Sequence, residues 1–385
     1  MQVDVVVIGG AVMGASCAYW LTAMRPGLSV LVVEADPSFA QASTALSVAS
    51  IRQQFTTAVN VQISRFGIEF IRNFKERSGL DLGLQENGYL FLAQSRDGAQ
   101  TLSDAVQMQR AQGAETELWA PDQIAARFPW LNVADLCAAS FGPRDEGWFD
   151  NMGLLSGFRS MARQQGARFV TDRVTGLTVA GGRITGVTLE KAGAVACGAA
   201  INAAGTRAAD VCRMAGLPLQ VEPRKRTVFV IDAPNARHPE APLLVDRGFY
   251  LRPERSHWIT ATVPQEDGPC APDDFEPDLH LFEEVIWEQL YHRAPAFDAV
   301  KVVRHWVGHY AYNTLDQNAI LGPHPDLPNL YLCNGFSGHG LQQSPAVGRG
   351  MAEHLLTGAW QTIDLSDLGA ARMVEGRAFR ERAVV

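Results

Sequence analysis

With 385 residues, 47% of them hydrophobic, the chain is long enough for a large core and for two closely associated domains. A formal net charge of −8, with Arg far outnumbering the four lysines, gives no support for nucleic-acid binding. No apolar run reaches membrane-spanning length and the first strand pattern starts at residue 3, so a soluble cytoplasmic protein without a leader peptide is expected.

Residues 3–34 carry the strongest pattern. Val3-Asp4-Val5-Val6-Val7-Ile8 is an apolar, β-branched run of the kind a buried parallel strand needs. It breaks at Gly9-Gly10-Ala11-Val12-Met13-Gly14, after which residues 15–21 read as a helix. A second apolar strand, Ser29-Val30-Leu31-Val32-Val33, ends on Glu34. Strand, glycine turn, helix, strand and terminal acid make up a dinucleotide-binding βαβ unit. Gly9 and Gly10 permit a tight turn whose N–H groups, helped by the helix dipole, face a pyrophosphate. Gly14 lets the helix pack close to the strand, and Glu34 can accept from ribose hydroxyls. Ala11 stands where the pattern has its middle glycine, and its methyl group narrows the approach to the phosphates.

Residues 41–50, with Ser43, Thr44 and Ser47, are small and hydroxyl-rich and show no helix face. They suit either a flexible loop or one lying along a phosphate and a flat ring. Ile51-Arg52-Gln53-Gln54-Phe55 follows. A lone Arg is usually a surface charge, but directly after such a loop its planar fork suits a carboxylate. Residues 58–78 read as one amphipathic helix, 86–93 as a strand, 97–128 as mainly helical and 138–149 as loop and strand. A helix over 151–166, a strand over 167–170 and a hairpin over 174–189 come next. Residues 199–206 are a buried strand whose small-residue end could lie against a cofactor. Alternation over 219–263 predicts strands, and Phe282, Val285, Ile286 and Leu290 mark a helix. In the strand over 304–312, Trp306, Tyr310 and Tyr312 share one face, which sheet packing alone explains. Asn334-Gly335-Phe336-Ser337-Gly338-His339-Gly340 then precedes a helix over 341–356, aiming backbone N–H groups at an acceptor. Cys17, Cys137, Cys197, Cys212, Cys270 and Cys333 have no CxxC spacing, so neither a metal site nor a disulfide framework is expected.

The opening fingerprint, Asn202-Ala203-Ala204-Gly205, Tyr250-Leu251-Arg252-Pro253, and Asp316 and Gly322 ahead of the closing glycine block together resemble the D-amino-acid oxidase-like flavoprotein family. That family holds glycine oxidase, sarcosine oxidases and dimethylglycine-type dehydrogenases. Residues 51–55 and 312–318 look closest to the branch of the mitochondrial FAD-dependent oxidoreductase domain-containing protein. The resemblance covers essentially the whole chain and implies an α/β fold. A Rossmann-like FAD-binding domain would be split over 1–83, 151–218 and 316–385. A mixed antiparallel-sheet substrate domain, of α+β type, would take 84–150 and 219–315.

The resemblance further implies FAD, held without a covalent bond, and a small-molecule amino acid or secondary amine as substrate. Gly9, Gly10, Gly14 and Glu34 would hold the AMP half, with Val174 at the adenine. Ser43, Thr44 and Ser47 would hold the pyrophosphate and flavin, and Gly338, His339 and Gly340 the flavin edge. Ala11, Met13, Ala35, Ala204, Gly205 and Leu341 would be further cofactor contacts. The implied reaction is hydride transfer from the substrate α-carbon to flavin N5, leaving an imine that hydrolyses. Arg52 would hold the carboxylate, with Tyr250, His309 and Gln342 as further catalytic candidates and Arg252 assisting. Gln342 replaces a carboxylate-binding Lys of sarcosine oxidases, which suggests a different pose or substrate. None of Lys75, Lys191, Lys225 and Lys301 falls near Trp258, where those oxidases keep an oxygen-activating Lys. That hints at a dehydrogenase, with oxygen, a quinone or an electron-transfer protein all open as acceptor. A nicotinamide-dependent dehydrogenase would leave the closing glycine block unexplained, and a flavin-binding assembly or scaffold protein with little turnover is the other alternative.

Overall fold

The apolar opening strand, Gln2–Ile8, lies inside an eight-stranded sheet, and this position explains its composition. Val30–Glu34 pairs parallel on one side and Gly193–Asn202 on the other. Arg168–Thr171 and Leu327–Asn334 extend the parallel array outward, and Ile320–His324 closes one edge antiparallel. Val5, Val6 and Val7 are buried because both faces are covered, so no polar alternation is needed. The helices Val12–Met24, Asn151–Gln164 and Gly340–Thr357 pack on one face. The strands Val174–Ala180 and Arg183–Leu189 and the helix Ala208–Arg213 cover the other. Ile8 is in register with Val33 and Asn202, and Asn202 with Leu332, so the carboxyl ends of four strands align. In such sheets ligands bind at that end. The computed structural model describes residues 1–383.

The second eight-stranded sheet runs in the order Lys301–Asn313, Val221–Asp232, His257–Thr262, Phe249–Glu254, Leu243–Asp246, Tyr89–Ala93, Ala138–Gly142 and Glu117–Trp119. Its pairs are antiparallel except Leu243–Asp246 with Tyr89–Ala93. The period of two divides its residues cleanly. Phe249, Leu251 and Trp258 face an aromatic core with Phe282 and Phe297, while Tyr250, Tyr89 and Val228 share the opposite face. That second face turns toward the carboxyl ends of the first sheet.

Three local differences from the sequence pattern have physical causes. The helix expected over 58–78 breaks at Asn73 into Ala58–Arg72 and Phe74–Ser78, where the Asn73 amide donates back to the Glu69 carbonyl at 2.9 Å. The segment 97–128 contains a strand, Glu117–Trp119, between the helices Arg96–Ala111 and Pro121–Arg127. Gly113, at φ +84°, and Pro121 mark the two interruptions. The hairpin expected over 174–189 gains a third strand because Gly193–Asn202 starts early enough to pair with it.

Candidate active site

A cleft of about 510 Å³ runs from the carboxyl ends of the first sheet to the second sheet. Its wall includes Gly9, Ala11, Met13, Glu34, Ala35, Ser43, Thr44, Ser47, Val174, Ala204, Gly205, Gly338, His339, Gly340 and Leu341. Gly10 and Gly14 do not line it. The Gly10 N–H donates to Glu34 Oε2 at 2.7 Å, which fixes the carboxylate at the strand end. A Cβ on Gly14 would lie 1.9 Å from the Gly9 carbonyl oxygen, and one on Gly9, at φ +99°, would lie 2.5 Å from that of Ala203. Both glycines therefore let backbone meet backbone where the turn crosses the strand ends.

Two helices begin at the cleft. Val12–Met24 and Gly340–Thr357 both lack a side-chain cap and an acidic residue in the first turn. Their amino-terminal N–H groups and positive dipole ends remain available to a ligand's acceptors, apart from Val12 N–H, which Thr44 Oγ1 takes at 3.3 Å. Gly338 is required beside them, since a Cβ there would lie 2.7 Å from the Tyr310 ring. The loop between is fastened on several sides. Ser43 Oγ donates to the His309 carbonyl at 2.7 Å, Trp306 Nε1 to that of Leu46 at 2.9 Å, and Asn151 Nδ2 to that of Thr44 at 2.6 Å. Two neighbouring helix amino termini, a carboxylate at a strand end and glycine-bared backbone fit an extended flavin dinucleotide.

Arg52 lies at the far end, also on the cleft wall, yet only 2% exposed. Its guanidinium stands 4.2 Å from the Phe55 ring centre and 5.4 Å from that of Phe91. Gln342 Oε1 accepts from the Arg52 backbone N–H at 2.8 Å, so this residue positions Arg52 through its main chain. Nη2 of Arg52 is 3.2 Å from His339 Nε2. Burial, and then the Arg52 charge, push the His339 imidazole down to about 3, so the ring is neutral, and its Nε2 also lies 3.3 Å from the Ala383 carbonyl oxygen.

Behind Arg52 lies a carboxylate that the sequence did not single out. Glu146 is buried, and its oxygens accept from Gln53 N–H and Gln54 Nε2, each at 2.7 Å. Burial raises its carboxyl to about 7 against the opposing pull of these donors and of Arg52. A carboxyl raised in the fold stabilises it fully below the unfolded value and loses that contribution as pH rises through the folded one. Between pH 5 and 8 the wild type is thus expected to lose up to about 3 kcal/mol relative to Glu146→Gln. Urea unfolding across that range checks this, and parallel stability profiles would remove Glu146 from the account.

The second sheet supplies Tyr250, Tyr89, Tyr310, His309 and Arg226 to the cleft wall. Burial raises the hydroxyl pKa of all three tyrosines, so each is a phenol that can donate a hydrogen bond. Arg226 sits 4.8 Å from the centre of the Tyr310 ring and pairs with Asp267 at 2.6 and 2.9 Å. Tyr89 and Arg226 went unnoticed in the sequence because each is one position in an ordinary alternating strand. His309 stacks on Phe275 at 4.3 Å, with Nε2 2.6 Å from the Asp274 carbonyl, which commits its imidazole to that loop. Arg252 is absent from the cleft wall. It bonds Glu254 at 2.6 Å and the Val48 carbonyl at 3.0 Å, and so fastens the hydroxyl-rich loop rather than a substrate.

The model of the DAO family, described as FAD-dependent oxidoreductase, matches residues 4–354. The chain belongs to this family. FAD is accordingly its cofactor, and the cleft geometry fits it. The FAD-dependent oxidoreductase domain-containing protein 1 of Bos taurus is 39% identical over 99% of this chain and 87% of its own length. The mitochondrial sarcosine dehydrogenase of Homo sapiens is 24% identical over 92% of this chain, which spans 40% of that protein. The L-proline dehydrogenase from P. horikoshii superposes with a TM-score of 0.87 at 27% identity, covering 98% of this chain and 99% of that one. None of the four lysines of this DAO-family chain is on the cleft wall. Among the described residues no His, Cys, Asp and Glu group is placed to hold a metal, and no helix is long and apolar enough to cross a membrane.

Proposed function

We propose that this chain oxidises the C–N bond of an amino acid, with a secondary amine as the preferred donor. The observation that carries the reading is Arg52, a buried guanidinium among aromatic rings on the wall of the cleft that fits FAD. A planar cation in such a place suits a carboxylate, which an amino acid always brings. Its structural relative from P. horikoshii is an L-proline dehydrogenase, and proline carries a secondary nitrogen. When bound, FAD supplies the two-electron oxidant for the bond between the substrate's α-carbon and its hydrogen.

The chain's own residues supply orientation and a dry surround. Arg52 fixes the carboxylate and so sets which face of the α-carbon turns toward the cofactor. Tyr89, Tyr250 and Tyr310 close the site with apolar rings and protonated hydroxyls, which favours an amine that arrives neutral. The amino-terminal N–H groups of Gly340–Thr357 would hold the edge of a bound flavin and would favour negative charge there. A cleft wall without lysine supports an acceptor other than oxygen.

Dye-linked turnover of matched acid and amide pairs, such as proline with prolinamide and sarcosine with sarcosinamide, tests the proposal. The acids are expected to react at least about tenfold faster than their amides, the least that losing one charge-assisted contact would cost. Equal rates would show that no carboxylate clamp operates.

A further inference from the structure

We propose that residues 379–383 form a latch on Arg52 that a substrate carboxylate must displace. This deepens the proposed function and rests on Arg52 being the carboxylate site. A guanidinium has five N–H bonds, and a carboxylate takes two parallel ones along one of its edges. The two edges available are Nε with Nη2 and Nη1 with Nη2, so both need Nη2. In this structure Nη2 donates to the Ala383 carbonyl and abuts His339 Nε2 at 3.2 Å, and that nitrogen is itself 3.3 Å from the same carbonyl. Nη1 donates to the Gln54 carbonyl. Nη2 is therefore bonded to Ala383 on one side and covered by the His339 ring on the other, so neither edge offers a complete fork.

The three partners differ in how they are held. Gln54 is fixed by Glu146 at 2.7 Å, the Tyr89 carbonyl at 2.9 Å and Ser140 at 2.6 Å. His339 stands at the N-cap position of the Gly340–Thr357 helix, without a capping bond, and packs edge-on to Phe55 at 5.2 Å. Ala383 instead sits on a segment that is neither helix nor strand. Its start is tied to Asp316 and Asn318 through Phe379, at 2.9 and 3.0 Å, and Arg382 N–H donates to Thr56 Oγ1 at 3.0 Å, while a second buried anion holds its middle. Glu381 is fully buried, and its carboxylate accepts from Thr56 N–H at 2.8 Å, Thr56 Oγ1 at 2.6 Å, Thr57 Oγ1 at 3.0 Å and Asn60 Nδ2 at 3.0 Å. These groups open the Ala58–Arg72 helix, whose N-cap residue Thr57 makes no side-chain cap bond and whose first turn holds no acid. Glu381 thus provides the missing negative cap, and Ala383 N–H folds back onto the same carboxylate at 3.0 Å.

A neutral carbonyl is a weaker partner for a guanidinium than a carboxylate, which brings a full opposite charge and takes two parallel bonds. A carboxylate can therefore take the Nη2 edge from Ala383. By linkage, the docked segment weakens carboxylate binding by the same factor that a bound carboxylate weakens docking. Arg380 and Arg382 are exposed on either side of buried Glu381, so trypsin can report release of the segment.

The test uses the FAD-loaded full chain with 2-furoate, a ring carboxylate without an oxidisable amine, and 2-furamide as its uncharged match. Furoate is expected to speed tryptic cleavage after Arg380 and Arg382 several-fold, and furamide to leave it unchanged. Glu381→Ala, and separately a chain ending at residue 378, are expected to bind furoate about tenfold more tightly, read from the flavin spectrum. If both variants bind furoate as weakly as the wild type or more weakly, while cleavage ignores furoate, the latch is overturned and the carboxylate site stands. If furoate binds none of the three proteins, the carboxylate reading falls and the latch falls with it.

Discussion

Arg52→Met is expected to lower the specificity constant for a carboxylate-bearing amine by about 10²- to 10³-fold, the equivalent of roughly 3–4 kcal/mol. The cause is the removal of a charged partner from a site where Arg52 is 2% exposed, so water cannot take its place. The same change should alter turnover of the corresponding amine without a carboxylate by no more than a few-fold. Arg52→Lys separates charge from shape, since an ammonium keeps the charge and loses the planar fork. It should recover only part of the activity. Kinetics on the acid and on the decarboxylated amine, with flavin content checked by absorbance, decide the matter. An equal loss on both substrates would mean that Arg52 supports the fold and not the substrate.

The largest stability effect is expected at Asp316. Its carboxylate and the Arg372 guanidinium are both fully buried and meet at 2.8 and 3.2 Å. The same carboxylate accepts from Asn313 Nδ2 at 2.7 Å and from Phe379 N–H at 2.9 Å. Asp316→Ala strands a buried cation and should cost about 3–5 kcal/mol in urea unfolding of the FAD-loaded protein. Adding Arg372→Met removes that unpaired charge and should restore a good part of the loss, because two apolar residues need no compensation. A double variant no more stable than the single one would show that the hydrogen bonds to Asn313 and Phe379, rather than the ion pair, carry the effect.

Much of this arrangement can be read locally. The opening run from Val3 to Glu34 encodes strand, turn and helix through contacts between near neighbours, so its pattern survives in one dimension. The closing glycine block does likewise, because Gly335 and Gly338 adopt φ of +69° and +97°, which few other residues tolerate. The candidate site was legible only where it belongs to such segments. Arg52 stood out by following a hydroxyl-rich loop, whereas Tyr89, Arg226 and Tyr310 lie on three strands whose approach depends on pairing across the second sheet. Glu146 and Glu381 were hidden for a related reason. Each lies in an irregular segment, Glu146 directly after Asp145, and its burial follows from distant backbone donors at Gln53 and Thr56. Arg252 misled in the opposite direction, since its neighbours match a family motif while its side chain is spent on Glu254 and Val48.

The most direct measurement is anaerobic mixing of the FAD-loaded protein with a panel of secondary and primary amino acids while the flavin's visible absorption band is followed. The account predicts that one class of carboxylate-bearing amine bleaches the band in a single turnover and that its imine is recovered as the hydrolysed carbonyl product. A band that dithionite bleaches but every amino acid and amine leaves intact would contradict it and make the chain a flavin-binding scaffold.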